Sequence, residues 1–169
     1  MVRKYGVRSF VLAGVLGAVS IMLSLTPIGM IPVPNLAGYA TTVHIPAIVG
    51  GIIGGPLVGA MVGLILAFST MHLFLGNLVA CFVPRLLIGV VSYLVWDKLG
   101  RKDWAVVAAS LAGTATNTVG VLGFMVLFRF FTWEQVIPIF ALNGVLELII
   151  SGIIVWPIIK IIQRVVKWG

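Results

Sequence analysis

Long apolar runs, separated by short polar or glycine- and proline-rich breaks, dominate the hydrophobic pattern of this chain. A helix needs about 20 apolar residues to cross a bilayer. By that measure the pattern predicts six transmembrane helices, at residues 9–28, 44–55, 57–72, 82–97, 104–129 and 135–162. The expected fold is an all-α integral membrane protein: one six-transmembrane-helix bundle that forms a single domain over residues 1–169.

The second and third runs are short and are separated by Gly54-Gly55-Pro56. Pro56 lacks the backbone N–H that a helix interior needs, but it fits the first turn of a new helix. We therefore expect a bent hairpin of two helices here rather than one overlong helix.

Composition places the chain in a membrane rather than in water. Hydrophobic residues make up 61% of the 169 positions and charged residues only 9%, whereas soluble domains have roughly 45–50% and about 25%. The net charge of +7 does not indicate nucleic-acid binding, because the basic residues form short clusters between apolar runs. Cys81 is the single cysteine, so the sequence has neither a disulfide framework nor the paired Cys/His spacing of a metal site.

Basic residues predict the orientation of the helices. With six spans both termini share one side, and that side holds nine of the eleven Lys and Arg residues, so we expect it to be cytoplasmic. These nine are Arg3, Lys4, Arg8, Lys98, Arg101, Lys102, Lys160, Arg164 and Lys167. The first apolar run is long for a signal peptide and has no A-x-A site after it, so we interpret it as a retained helix.

Two connections on the opposite side are unusually apolar. Residues 29–43 contain no charge, two prolines and two glycines, and residues 71–83 are also largely apolar. Such segments make poor solvated loops, and we expect extracytoplasmic capping loops that fold over a cavity. The alternative is that they lie in the headgroup region as filler.

Polar side chains within the spans are candidates for function, because a charge at the bilayer centre costs roughly 2.5–3.5 kcal/mol. Asn143, Glu147 and Ser151 recur at intervals of four residues and therefore share one helix face. Asn117 lies in the middle of the fifth run, with Thr114 and Thr118 on its face.

The candidate substrate-binding residues are Arg85, Asn117, Asn143 and Glu147, with Tyr39, His44 and His72 at the lid or rim. Arg85 and Glu147 have two interpretations, which can hold together: an ion pair that fixes two helices, or a pair of ligand-binding groups. The histidines, amides and hydroxyls also have a structural interpretation, as hydrogen-bond partners between helices.

The first run carries two overlapping small-xxx-small pairs, formed by Ala13, Gly14, Gly17 and Ala18. Small residues let helix backbones approach closely, either within this chain or against a partner membrane protein. The sequence contains no phosphate-binding G-x-x-x-x-G-K-[ST], no H-E-x-x-H and no G-x-S-x-G. The sequence thus has candidate binding residues but no motif for using an energy source such as ATP. We therefore expect a partner protein to supply the energy.

These features together resemble the substrate-binding S components of energy-coupling factor (ECF) importers, over nearly the whole chain. Besides the small-residue first helix, the resemblance rests on TTVHIPAIVGGIIGGPLVGA, VPRLLIG, TNTVGVLG and NGVLELIIS, at residues 41–60, 83–89, 116–123 and 143–151. It implies six helices, a site near the outer face, and docking of the small-residue motif on a transmembrane coupling subunit that works with two ATPase subunits. Here glycines interleave the usual alanines, which leaves the docking register open.

The resemblance further implies a prokaryotic cell membrane protein that is not an enzyme, with no metal or cofactor in this chain and with ATP used by the partner ATPases. Within the family the chain looks like the pantothenate-like branch, which also contains other vitamin specificities. With pantothenate as substrate, Arg85 would pair the carboxylate while Asn117 and Asn143 bind hydroxyl or amide groups. Cobalamin, a thiamine-related compound, pyridoxine and folate are alternative substrates. Alternative classes are an intramembrane enzyme, using Glu147 and a histidine, and a membrane scaffold.

Overall fold

The computed structural model describes residues 6–74 and 77–165 of the chain. The basic residues Arg3, Lys4 and Lys167 of the orientation argument lie outside these ranges. The elements in chain order are α1 (Val7–Ser24), β1 (Met30–Pro32), β2 (Tyr39–Thr41), α2 (Ile45–Gly54), α3 (Pro56–Thr70), a 3₁₀ helix (Met71–Phe74), α4 (Leu78–Lys98), α5 (Asp103–Leu127), α6 (Trp133–Ile139), a π-helical turn (Phe140–Gly144) and α7 (Val145–Val165).

Each predicted apolar run is helical, but the runs differ in length. Within the described residues, five helical stretches are long and apolar enough to cross a membrane. The second run, α2, has only 10 residues, which corresponds to a rise of about 15 Å. All ten of its residues are buried, so α2 is a short central helix and not a full span like its neighbours.

Glycines bring α2, α3 and α4 into backbone contact. A methyl group added at Gly59 would meet the Cα atoms of Gly89 and Gly51 at 2.7 and 2.8 Å. Such small-residue contacts are the usual means of close helix packing in membranes. One turn along α3, a methyl group at Gly63 would overlap the carbonyl oxygen of Arg85. This packing fixes the stretch of α4 from which the Arg85 side chain projects.

The connection between α1 and α2 contains a two-stranded antiparallel hairpin, which corrects the all-α expectation. Helix α1 ends at Ser24, four residues before the predicted end at residue 28. The strands pair Met30 with Thr41 and Pro32 with Tyr39. Strands of three residues are too short to produce a recognisable alternation of apolar and polar positions.

Helix α4 begins earlier than predicted, at Leu78 instead of residue 82. The Asn77 side chain caps it by accepting a hydrogen bond from the Ala80 backbone N–H at 3.0 Å. The predicted outer loop 71–83 is therefore largely helical where it is described: a 3₁₀ turn followed by the start of α4. Arg85 consequently lies two turns inside α4 and not near its first turn.

The last predicted run, 135–162, is a broken helix that extends from Trp133 to Val165. Pro138 lies inside it, and the helix widens into the π-helical turn two residues later. Proline removes one backbone N–H from the helical ladder, and π-helical turns often occur at functional sites. Asn143 belongs to this turn, and Glu147 lies at the start of α7.

A candidate ligand cavity beneath the hairpin

A cavity of about 350 Å³ lies between the hairpin, the 3₁₀ helix, α4, α5 and the broken last helix. Its volume lies within the range of small-molecule sites, roughly 300–1,000 Å³. Five of the predicted site residues line it: Tyr39, Arg85, Asn117, Asn143 and Glu147. Thr41 and Thr118 add to the polar lining, and the apolar lining includes Leu73, Val121, Leu122, Met125 and Phe131.

Glu147 is buried and its carboxylate accepts hydrogen bonds from three protein donors. The backbone N–H and the hydroxyl of Thr41 donate to Oε1 at 2.7 and 3.0 Å. The Thr118 hydroxyl donates to Oε2 at 2.8 Å. Charge-assisted hydrogen bonds of this kind are the stronger ones in proteins, so Glu147 fastens the hairpin to α7 and α5.

Asn143 makes a second connection between the hairpin and the last helix. Its Oδ1 accepts a hydrogen bond from Asn35 Nδ2 at 2.6 Å, and its Nδ2 donates to the Tyr39 carbonyl at 2.8 Å. The hairpin is thus held at its turn and at its second strand. Both helix partners in this contact, Asn143 and Glu147, were predicted from the four-residue polar spacing.

Arg85 has few partners for a buried cation. Only 5% of the residue is exposed. Its Nη1 donates to the Cys81 carbonyl at 3.1 Å, and the guanidinium carbon lies 4.3 Å from the centre of the Phe74 ring. Nε has no hydrogen-bond partner among the described residues. A buried cation in this state retains donor capacity for a ligand.

The Arg85–Glu147 ion pair, one of the two interpretations of these residues, is not formed in the part of the chain that the structure describes. The two ion pairs found within residues 6–74 and 77–165 are Arg101–Asp97, at 2.7 Å, and Lys160–Asp103. Both lie in or next to the α4–α5 connection, away from the cavity. Arg85 and Glu147 therefore line the same cavity without neutralising each other by direct contact.

Asn117 adds an unpartnered acceptor to the same cavity. The residue is 8% exposed, and its Oδ1 has no hydrogen-bond partner among the described residues. Leaving a buried polar group unpaired costs about 1–3 kcal/mol. Arg85 on α4 thus has an unused hydrogen-bond donor, and Asn117 on the neighbouring helix α5 has an unused acceptor.

The two histidines do not line this cavity. His44 is fully buried, and its Nε2 lies 3.0 Å from Thr114 Oγ1, which itself donates to Ser151 Oγ at 2.8 Å. Because the Thr114 proton goes to Ser151, Nε2 of His44 is the donor to Thr114. His72 is exposed on the 3₁₀ helix. The structural interpretation of His44, as a partner in hydrogen bonds between helices, fits this arrangement.

The small residues of α1 divide between two faces. Ala13 and Gly17 are buried, and a methyl group at Gly17 would overlap the Ile65 side chain of α3. Gly14 and Ala18 are exposed, and Gly14 has open space around it. The first pair therefore packs within this chain, and the second is free to meet a partner.

Sequence reasoning missed three residues that shape the site. Thr41 donates to Glu147 twice, Asn35 binds Asn143, and the Phe74 ring stacks under Arg85. All three lie in the segments 29–43 and 71–83, which the sequence predicts to be loops. The one available signal was the absence of charge in residues 29–43, which predicted contact with the helices but not its partners.

The long apolar helices and the partly polar cavity are typical of a membrane protein with a small-molecule site. Comparison with known families identifies it further: the ECF transporter, substrate-specific component family model matches residues 8–166, and the chain belongs to this family. It is also 33% identical, over 93 residues, to the pantothenic acid transporter PanT of Lactococcus lactis subsp. cremoris. That match covers 52% of this chain and 47% of the relative, about half of each.

Proposed function

We propose that this S component captures pantothenate at the extracytoplasmic face. The observation that carries the proposal is Arg85, a cation that is 5% exposed, lines the cavity and has no carboxylate within ion-pairing distance among the described residues. A ligand carboxylate would supply the missing anion. The match to a pantothenic acid transporter points to the same class of substrate.

The rest of the cavity suits the remainder of the vitamin. Pantothenate carries an amide, two hydroxyls and a dimethyl-substituted carbon in addition to its carboxylate. Asn117 Oδ1 is an unpartnered acceptor for a hydroxyl or amide N–H. Val121, Leu122 and Met125 provide an apolar surface one to two turns further along α5. A few placed polar groups in an otherwise apolar cavity are typical of small-molecule sites.

Cationic vitamins fit this arrangement less well. Glu147 is the carboxylate that lines the cavity, and three donors from Thr41 and Thr118 already bind it. A thiamine-like cation would have to share the cavity with the Arg85 guanidinium, and like charges repel strongly where water is excluded. The site therefore favours an anion over a cation.

Transport also requires partners and an orientation. We propose that the exposed Gly14–Ala18 pair of α1 docks on a transmembrane coupling subunit, which works with two ATPase subunits that use ATP. Both termini would face the cytoplasm of a prokaryotic cell, in line with the clustering of basic residues. The hairpin and the 3₁₀ helix would then lie at the outer face, above the cavity.

The direct test is binding of a vitamin panel to the purified protein by calorimetry. We expect pantothenate to bind, and thiamine, pyridoxine, folate and cobalamin not to bind. Arg85→Gln removes the cation and should weaken binding at least tenfold, since a hydrogen bond to a charged group contributes about 1.5–3 kcal/mol. Arg129→Gln is the matched control, because Arg129 is exposed just beyond the end of α5 and does not line the cavity.

Equal affinity of the wild type and Arg85→Gln, with both proteins folded, would refute the assignment of Arg85. Binding of another vitamin instead of pantothenate would refute the substrate but not the site. Conversion of a vitamin into a product by the purified chain would support the enzyme alternative, and failure to bind any member of the panel would support a scaffold.

A further inference from the structure

A second cavity lies in the outer wall of the bundle and shares no residue with the ligand cavity. It is a groove of about 440 Å³ between α1 and α7, with α2 as its floor. Its walls include Leu16, Val19 and Leu23 of α1 and Ile150, Ile154 and Ile158 of α7. Among the described residues that line it, Thr42 alone is polar, and its hydroxyl donates to the Ile28 carbonyl at 3.3 Å. The groove therefore suits a hydrocarbon and offers nothing to a polar solute.

The groove is long and runs parallel to the helices. Its α7 wall extends from Ile150 to Ile162, a rise of about 18 Å and more than half of the roughly 30 Å hydrocarbon core. Helix α7 runs antiparallel to α1, because the hairpin that follows α1 contacts Glu147 at the start of α7. Ile162 therefore lies at the end of the bundle where α1 begins.

The shape of the lining favours an acyl chain over a helix of another protein. Helices dock closely in membranes through Gly, Ala, Ser and Thr, whereas the two walls of this groove consist of leucine, valine and isoleucine. The exposed small residue Gly14 lies on a different face of α1: at about 100° per residue, Leu16 points about 160° away from it. The candidate partner surface and the groove are thus on opposite sides of α1.

A cation continues the α1 wall of the groove. Arg8, Leu12, Leu16, Val19 and Leu23 follow one another at intervals of four, four, three and four residues and so form one stripe on α1. Arg8 is exposed and has no ion-pair partner within the described ranges. It lies about 12 Å below Leu16 along the helix, at the same end of the bundle as Ile162.

We propose that this groove binds one acyl chain of an anionic phospholipid, whose headgroup lies at Arg8. The hydrocarbon fills the space between the α1 and α7 walls of the groove. The negative headgroup pairs with the free guanidinium. The bound lipid thereby steadies α1 on the side opposite the Gly14–Ala18 surface.

Lipid binding can be measured on the intact protein by native mass spectrometry, after delipidation and titration with phosphatidylglycerol or phosphatidylcholine of identical acyl chains. We expect phosphatidylglycerol to bind about fivefold more tightly, the effect of one basic residue near a membrane surface. Arg8→Gln should abolish this preference. Arg164→Gln removes the same charge at the same end of the molecule and should preserve it. Inorganic phosphate alone should not stabilise the protein against heat.

Filling the groove is the second arm of the experiment. Ile154→Trp occupies the groove and should reduce retention of both lipids, whereas Ile153→Trp, at a 68% exposed position that does not line the groove, should not. Equal binding of the two lipids to the wild type, or an unchanged preference in Arg8→Gln, overturns the proposal. The proposal is also overturned if Ile154→Trp blocks association with the coupling subunit while lipid retention is unchanged. In that case the groove would hold a helix of the partner. Arg8→Gln keeps the proposal testable if Ile154→Trp does not fold.

Discussion

The backbone N–H and the hydroxyl of Thr41 donate to the same carboxylate oxygen of Glu147, at 2.7 and 3.0 Å. Two residues 106 positions apart in the chain thus join the second strand of the hairpin to α7. Glu147 lines the cavity, and its hydrogen bonds also hold the hairpin against the helices beside that cavity. The residue that the sequence named as a candidate for ligand binding therefore also connects the hairpin to α7.

Weakening the hydrogen bonding between Thr41 and Glu147 should speed the release of ligand. Thr41→Val keeps the backbone donor but removes the hydroxyl, and a hydrogen bond to a charged group contributes about 1.5–3 kcal/mol. We expect ligand dissociation to become at least tenfold faster in Thr41→Val, as measured by surface plasmon resonance or stopped-flow fluorescence. Association should change much less, because valine has nearly the size of threonine and the cavity keeps its shape.

The matched control for Thr41→Val is Thr26→Val. Thr26 lies between α1 and β1, where its hydroxyl donates to the local Leu23 carbonyl at 3.5 Å. Ligand should dissociate from Thr26→Val at the wild-type rate. Equal dissociation rates for Thr41→Val and the wild type would show that the hairpin does not limit release.

The two small-residue pairs of α1 should respond differently to bulky substitutions. Gly14→Leu projects into open space, so the protein should fold and bind ligand normally but lose association with the coupling subunit. Gly17→Leu collides with Ile65 of α3 and should destabilise the fold itself, since overpacking costs about 1–3 kcal/mol or more. Co-purification with the coupling subunit and thermal unfolding separate these two effects. Retained association of Gly14→Leu would place the docking surface elsewhere.

The sequence predicted the helical class, and it named Arg85, Asn117, Asn143 and Glu147 as candidate binding residues; the fold brings all four to one cavity. Apolar run length and four-residue spacing are local properties, so they can be read without knowing the fold. The hairpin could not be predicted in this way, because it depends on contacts such as Asn35 with Asn143, across 108 residues. The choice between the two interpretations of Arg85 and Glu147 stayed open in the sequence for the same reason: opposite charge indicates attraction, but only the fold sets the distance between the two groups.

Gly63 should act as a positioning residue for Arg85. A methyl group at this glycine would overlap the Arg85 carbonyl oxygen, so Gly63→Ala must push α4 away from α3 and shift the guanidinium in the cavity. We expect at least a tenfold loss of pantothenate affinity while the helical content measured by circular dichroism is retained. Gly123→Ala is the control, because nothing lies within 4 Å of a methyl group there. Wild-type affinity in Gly63→Ala would show that α4 adjusts without moving Arg85.

The hydrogen-bonded chain from His44 through Thr114 to Ser151 should stabilise the bundle without contributing to ligand affinity. It joins the start of α2 to α5 and α7, and all three residues are fully buried. Thr114→Val removes the central hydroxyl and leaves the His44 Nε2–H without an acceptor, which costs about 1–3 kcal/mol.

Thr116→Val is the matched control on the same helix, because the Thr116 hydroxyl bonds only the Ala112 carbonyl one turn back. Unfolding in a graded detergent series should show Thr114→Val destabilised by at least about 1 kcal/mol and Thr116→Val nearly unchanged. Both variants should bind pantothenate with the wild-type affinity, since neither residue lines the cavity. A large loss of affinity in Thr114→Val with normal stability would mean that His44 reaches the ligand after all, and that the rim assignment made from the sequence was correct.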